Sequence, residues 1–132
     1  MAERRATCSC GQLFVRCGGE PDIISICHCI ECQRRTGSVF GVAAFYSRSN
    51  IVEIGGRFTK YSRMGDSGRS VTFHFCPVCG STVYLEPEMA PERIGIAVGA
   101  FADPSFPRPS RAVWTQSKHH WVALPDDIAQ TL

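Results

Sequence analysis

The spacing of eight cysteines constrains this chain more than any other feature. They stand at Cys8, Cys10, Cys17, Cys27, Cys29, Cys32, Cys76 and Cys79, as a CxC pair, a CxCxxC run and a CxxC pair around a lone Cys17. The first residues, from Met1 to Thr7, are polar and basic with no apolar run, so they do not read as a secretory leader and the expected compartment is the cytoplasm. Disulfides are not maintained there, and clustered thiols read as metal ligands, with a redox role as the competing reading. Four sulfurs at about 2.3 Å from one zinc ion stand roughly 3.8 Å apart. Residues i and i+2 on a straight strand are roughly 6.6 Å apart. A CxC pair therefore chelates one ion only where the chain bends, and Gly11 permits a bend after Cys10. In Cys76-Pro77-Val78-Cys79-Gly80, Pro77 fixes φ after the first ligand and Gly80 tolerates a left-handed conformation after the second.

Between the cysteines the chain reads as short strands. Gln12–Cys17, Ile23–Ile26 and Val39–Tyr46 carry apolar runs, the last compatible with strand or buried helix. Asn50–Ile54, Gly55-Gly56 and Arg57–Arg63 predict a hairpin, and Met64–Gly68 a loop. Ser70–Phe75 and Ser81–Glu86 flank the CPVCG knuckle as a second hairpin. Arg93–Ala100 is β-branched, Ala102–Pro109 is irregular because three prolines interrupt it, and Ala112–Thr115 and Trp121–Leu124 read as closing strands. Glu31–Thr36 is the one helical turn, stopped by Gly37. The expectation is a mainly β fold stapled by metal, a single domain over 1–132. A formal charge of +2 argues for neither nucleic acid nor a membrane surface, and no run approaches the ~20 apolar residues of a membrane span.

The cysteines partition unequally. One CxC plus one distant CxxC completes a four-thiolate site at Cys8, Cys10, Cys76 and Cys79. Such a closed site is structural. Cys27, Cys29 and Cys32 supply three sulfurs, one short of a tetrahedron. Cys17 could complete it and make a second staple, or the fourth position stays open, as in catalytic zinc sites. His28, between ligands, would point away from the ion, as an exposed or backbone-bonded imidazole or as a group supporting the site. Three sulfurs leave zinc a weak Lewis acid but suit a fourth sulfur, so chemistry alone favours activating a substrate thiol over hydrolysis.

These motifs resemble the glutathione-dependent formaldehyde-activating enzyme family. The resemblance lies in Cys8-Ser-Cys10-Gly11, Cys27-His28-Cys29-Ile-Glu-Cys32-Gln-Arg34-Arg35-Thr36-Gly37-Ser38 and Phe75-Cys76-Pro-Val-Cys79-Gly80-Ser81, and extends to Gly99-Ala-Phe-Ala-Asp103-Pro104 and Trp121. It implies a β-tent of two twisted antiparallel sheets. It also implies two zinc ions per chain, a structural one on Cys8, Cys10, Cys76 and Cys79 and a second on Cys27, Cys29 and Cys32. The implied reaction is of carbon–sulfur lyase type, joining glutathione and formaldehyde at that second zinc. Arg111 stands where a histidine is common in the family.

Glutathione would need cations for its carboxylates. Arg34 and Arg35, with Thr36, Gly37 and Ser38 behind them, are the candidate substrate-binding residues, and Arg48, Arg57 and Lys60 are further options. Phe40, Phe45, Trp114 and Trp121 read as core, His74 as the polar face of a strand, and His119 and His120 as loop residues. The partners expected are a small thiol and a small aldehyde. The competing class is a non-catalytic zinc-stabilised binding or chaperone module, which needs only the closed staple. Methionine sulfoxide reduction lacks a late nucleophilic cysteine, and a thioredoxin-like role lacks the βαβ setting.

Overall fold

The computed structural model describes residues 2–65 and 68–132. Among them β1 (Glu3–Thr7), β2 (Phe14–Gly18) and β5 (Ile51–Gly55) form an antiparallel three-stranded sheet with β2 in the middle. An eight-stranded sheet runs, edge to edge, β11 (Ala129–Gln130), β10 (Arg111–Val113), β3 (Ile23–Cys27), β4 (Gly41–Ser47), β9 (Arg93–Ala97), β8 (Thr82–Pro87), β7 (Ser70–Phe75) and β6 (Thr59–Met64). The fold is mainly β, as expected. The large sheet is mixed rather than wholly antiparallel, because β10 runs parallel to both β3 and β11.

The knuckle hairpin forms as expected, β7 pairing with β8. The hairpin expected over Asn50–Arg63 does not. β5 pairs with β2 and β6 with β7, so the chain changes sheets at Gly56. The two glycines serve close approach instead of a tight turn. A Cβ on Gly55 would lie 2.5 Å from the Phe14 ring, and one on Gly56, at φ +94°, would lie 1.9 Å from the Gln12 carbonyl oxygen. The Gln12 side chain then clamps the crossing, its Nε2 donating to Arg57 O (2.8 Å) and its Oε1 accepting from Arg57 N (2.8 Å). Trp121–Leu124 is a turn, not a strand: Val122 N bonds back to His119 O, and Pro125 follows without a donor. The strand read as Arg93–Ala100 stops at Ala97, where Val98–Phe101 tightens into a 3₁₀ turn. Of the loop expected over Met64–Gly68, Met64 belongs to β6, and Asp66 and Ser67 lie outside the described residues.

Strand alternation gives the large sheet two different faces. Ile24, Ala44, Tyr46, Ile94 and Ile96 turn toward the small sheet and pack with its Ala6 and Val15 and with Leu13 in one buried core. Their neighbours Ser25, Cys27, Ala43, Phe45, Leu85 and Phe73 turn the other way and line a cavity. Ala112 on β10 joins Ile26 and Ile128 in a smaller buried cluster, while Arg111 and Val113 join the cavity face.

The helix α1 (Ile30–Thr36) lies between β3 and β4 in sequence. Its N-cap is Cys29, whose sulfur accepts from Cys32 N at 3.2 Å, and its C-cap is Gly37 in the left-handed conformation, donating to Gln33 O. Glu31 in the first turn and Arg34 and Arg35 in the last complement the helix dipole.

Candidate functional site

Cys8 and Cys10 leave the end of β1, and Cys76 and Cys79 sit on the β7–β8 turn. Their four sulfurs lie within 4.8 Å of one another. Two of the sulfur–sulfur distances, 3.6 Å for Cys8–Cys10 and 3.7 Å for Cys10–Cys76, match the roughly 3.8 Å edge of a zinc–thiolate tetrahedron. The backbone is arranged to support negative sulfur. Leu13 N donates to Cys8 Sγ (3.3 Å), and Val78 N (3.3 Å) and Gln12 Nε2 (3.0 Å) donate to Cys76 Sγ. Ser81 hydrogen-bonds Cys79 and, with the backbone, draws its thiol down to about 5. Gly11 and Gly80 take φ of +86° and +81° with open space around them, so their need for glycine is conformational. Ser9 Oγ and Ser81 Oγ, 2.9 Å apart, tie the two knuckles together. The donors enclose one point from all sides, and the cluster could hold a metal ion.

The second cluster is built by one corner of chain. Cys27 closes β3, Cys29 caps α1 and Cys32 is in its first turn, with the three sulfurs again within 4.8 Å. Hydrogen bonds from Cys27 and Cys32 pull the Cys29 thiol down to about 2, with Arg63 adding its charge, and the same sulfur contacts push Cys27 up. Cys17 takes no part. It is buried on β2, its thiol 3.8 Å from Arg4 O and raised by that burial, so the closed four-sulfur completion does not form. Three soft donors of this spacing also suit a metal ion. His28 is not among the clustered donors, and it is fully buried rather than exposed. Its ring meets Phe40 edge-on at 5.9 Å, and neither ring nitrogen has a hydrogen-bond partner.

Cys27, Cys29 and Cys32 open on the cavity of about 210 Å³ on the outer face of the large sheet. Register explains its floor: Phe45 on β4, Gly95 on β9, Leu85 on β8 and Phe73 on β7 form one cross-strand row. Gly95 leaves the room, since a Cβ there would stand 2.8 Å from Leu85 Cδ1 and 2.9 Å from Phe45 Cε1. Arg111 and Ser25 are register partners at one end, with Arg111 Nε donating to Ser25 Oγ at 2.5 Å. At the other, Arg35 from α1 and Arg63 from β6 both lie over the Phe73 ring. Trp114 closes the rim at φ +55°, a left-handed conformation that costs a bulky residue of order 1–3 kcal/mol.

Of the five residues expected to bind substrate, only Arg35 reaches this cavity. Arg34 is exposed and paired with Glu31 (2.8 Å). Thr36 Oγ1 bonds back to Cys32 O (2.8 Å) and accepts from Ser38 N (3.0 Å), so Thr36, Gly37 and Ser38 terminate the helix. Thr36 instead faces a separate groove shared with Arg35 and with Ser9 and Ser81 of the first cluster. Arg48 is spent on Glu86, and Arg48, Arg57 and Lys60 all lie outside the cavity. Phe45 and Trp114 are cavity wall rather than core, and Trp121 is 63% exposed. His74 is buried, stacked on Tyr84 at 4.1 Å and bonded to Glu86 at 2.7 Å. His119 bonds Gln33 on the back of α1. Only the alternation of their strands points to Arg63 and Ser25 in the sequence, and Arg111 is marked there only as standing where a histidine is common in the family.

Fold and site together define a class: a mainly β protein with two cysteine clusters able to hold metal, one of which opens on a cavity. The chain belongs to the glutathione-dependent formaldehyde-activating enzyme family, whose model matches residues 3–117. A Rhodobacter sphaeroides protein of known crystal structure shares the fold, with a TM-score of 0.59 at 22% identity over 76% of this chain and 91% of that one. No curated protein matches this chain significantly. No described helix is long and apolar enough to cross a membrane.

Proposed function

We propose that the chain, acting as one domain in the cytoplasm, adds a thiol such as glutathione to a small aldehyde such as formaldehyde, and catalyses the reverse lysis. Zinc at both clusters is part of the proposal, one ion structural and one at the reaction site. The observation that supports this reading is the inequality of the clusters: four sulfurs enclose one point, whereas three face a cavity from one side. A binding module has no use for the second arrangement. Zinc on Cys27, Cys29 and Cys32 would supply a charge that keeps a substrate sulfur deprotonated at neutral pH.

The chain's own groups account for the rest. Arg35 and Arg63 place positive charge on the cavity wall and favour an anionic sulfur there. Phe45, Phe73 and Trp114 keep water from the reacting atoms. Ser25 Oγ accepts from Arg111, which leaves its own proton free to be donated to the oxygen that gains charge as the carbon–sulfur bond forms. The test is exchange spectroscopy with carbon-13 formaldehyde and glutathione. The metal-loaded chain should speed exchange into S-hydroxymethylglutathione, and Cys29→Ser should abolish the acceleration. Equal acceleration by Cys29→Ser would refute the reading.

A further inference from the structure

Nine of the twelve arginines fall into two groups. Arg4, Arg16, Arg34, Arg48, Arg93 and Arg108 each meet a carboxylate outside the cavity. Among the described residues, the three on the cavity wall, Arg35, Arg63 and Arg111, meet none, and no Asp or Glu lines the cavity. Arg35 and Arg63 flank one ring, with Cζ at 4.5 and 5.4 Å from the Phe73 centroid, and the Nε of each is buried with no hydrogen-bond partner among the described residues. Gly41 preserves this arrangement, because a Cβ there would stand 3.1 Å from Arg35 Nη2. Like charges gathered in a largely apolar pocket repel one another unless an anion joins them.

Formaldehyde and a thiol without a carboxylate would offer the guanidiniums only a sulfur anion, not the paired oxygens that their forks match. Glutathione brings carboxylates but also an ammonium group, and no described acidic residue lines the cavity to receive it. We infer that the reactant entering this cavity is a short carboxylated molecule, its carboxylate held by the paired Arg35 and Arg63 within a few bonds of the reacting atom. The inference rests on the thiol–aldehyde reading and narrows its substrate class. The carboxylate can belong to the aldehyde, as in a 2-oxo acid, or to the thiol, as in a mercapto acid. Either way the thiol S–H adds across the aldehyde C=O. A carbon–sulfur bond forms, the π pair becomes a hydroxyl by taking the thiol's proton, nothing is oxidised or reduced, and the carboxylate is unchanged.

Four pairs test this with the metal-loaded chain: glyoxylate with 2-mercaptoethanol, formaldehyde with mercaptoacetate, formaldehyde with 2-mercaptoethanol, and formaldehyde with glutathione. Calorimetric titration with propionate, against propionamide as neutral control, reads the anion site without turnover. At least one short carboxylated pair should exceed both the neutral pair and the glutathione pair about tenfold or more in kcat/KM, and which one does so identifies the carrier. Arg35→Gln and Arg63→Gln should each weaken propionate binding about ten- to hundredfold and erase that preference. Arg108→Gln, on the surface, should change neither, and circular dichroism confirms that each variant folds. If the glutathione pair or the neutral pair matches the short carboxylated pairs, the inference is overturned while the thiol–aldehyde reading stands. If no pair reacts, that reading falls, and the anion site is upheld or overturned by the propionate titration alone.

Discussion

Cutting one ligand from each cluster should have unequal consequences for stability, and the loops they close give the size of the difference. The four-cysteine cluster joins Cys10 to Cys76, 66 residues apart, whereas Cys27 to Cys32 is a span within one corner of chain. Loop-closure entropy grows as (3/2)RT ln n, so a clamp over 66 residues restrains the unfolded chain by about 2 kcal/mol more than one over about five. Cys79→Ser and Cys29→Ser are well matched for the comparison. Cys79 is exposed, so replacing it empties no core space. Cys29 caps α1 through its sulfur, and serine is itself a good N-cap, so the helix start survives while the ligand is lost. Metal content by mass spectrometry and urea unfolding, run in parallel, make the assay. Each variant should retain one zinc per chain, but Cys79→Ser should be less stable by about 2 kcal/mol, or a melting point roughly 6–10 °C lower. Equal losses in the two variants, or a larger loss in Cys29→Ser, would refute the division into staple and reaction site.

Three further outcomes follow from the geometry. Gln12→Ala removes both bonds to Arg57 and the one to Cys76 Sγ, and should lower stability by about 1–2 kcal/mol in urea titration while leaving the three-cysteine metal in place. Gly95→Ala should force Leu85 and Phe45 apart, costing about 1–3 kcal/mol and shrinking the cavity, read as an unfolding midpoint together with weaker propionate binding. Burial, helped by the neighbouring Cys17 and Glu86, pushes Tyr46 and Tyr84 up from 10.0 to about 12. A folded pKa above the unfolded one means stability is full below pH 10 and declines as pH rises toward 12. Urea unfolding across that range, with absorbance near 295 nm, checks it, and flat stability to pH 12 would contradict the burial of both rings.

The parts of this protein legible in its sequence are those carried by neighbours along the chain. Cys76-Pro77-Val78-Cys79-Gly80 specifies its own knuckle, and Gly37 stops α1 where it should. Partition of the sulfurs was legible because the count left only Cys17 in question, and its burial beside Arg4 settles that. Arg34, Arg35 and Thr36 illustrate the limit. Successive helical residues diverge by about 100°, so adjacency in sequence sent one arginine to the cavity and its neighbour to solvent. Arg63 and Arg111 were illegible for the opposite reason. Each is an ordinary strand arginine until pairing sets it opposite Val71 or Ser25 on the cavity face. Gly55-Gly56 misled because a glycine pair signals a turn equally well when its purpose is to let two backbones touch.

The alternation within the large sheet also bears on how such a protein can change over generations. Ser25, Ala43 and Phe45 face one way while Ile24, Ala44 and Tyr46 face the other, so drift at the first set leaves the second undisturbed. Reactant preference can therefore be rewritten one outward side chain at a time on an unaltered frame. Inserting or deleting a single residue in β3 or β4 would instead exchange the two sets at once and destroy both. Lineages built on this sheet are expected to diversify by substitution within these strands, and to keep strand length fixed while their chemistry wanders.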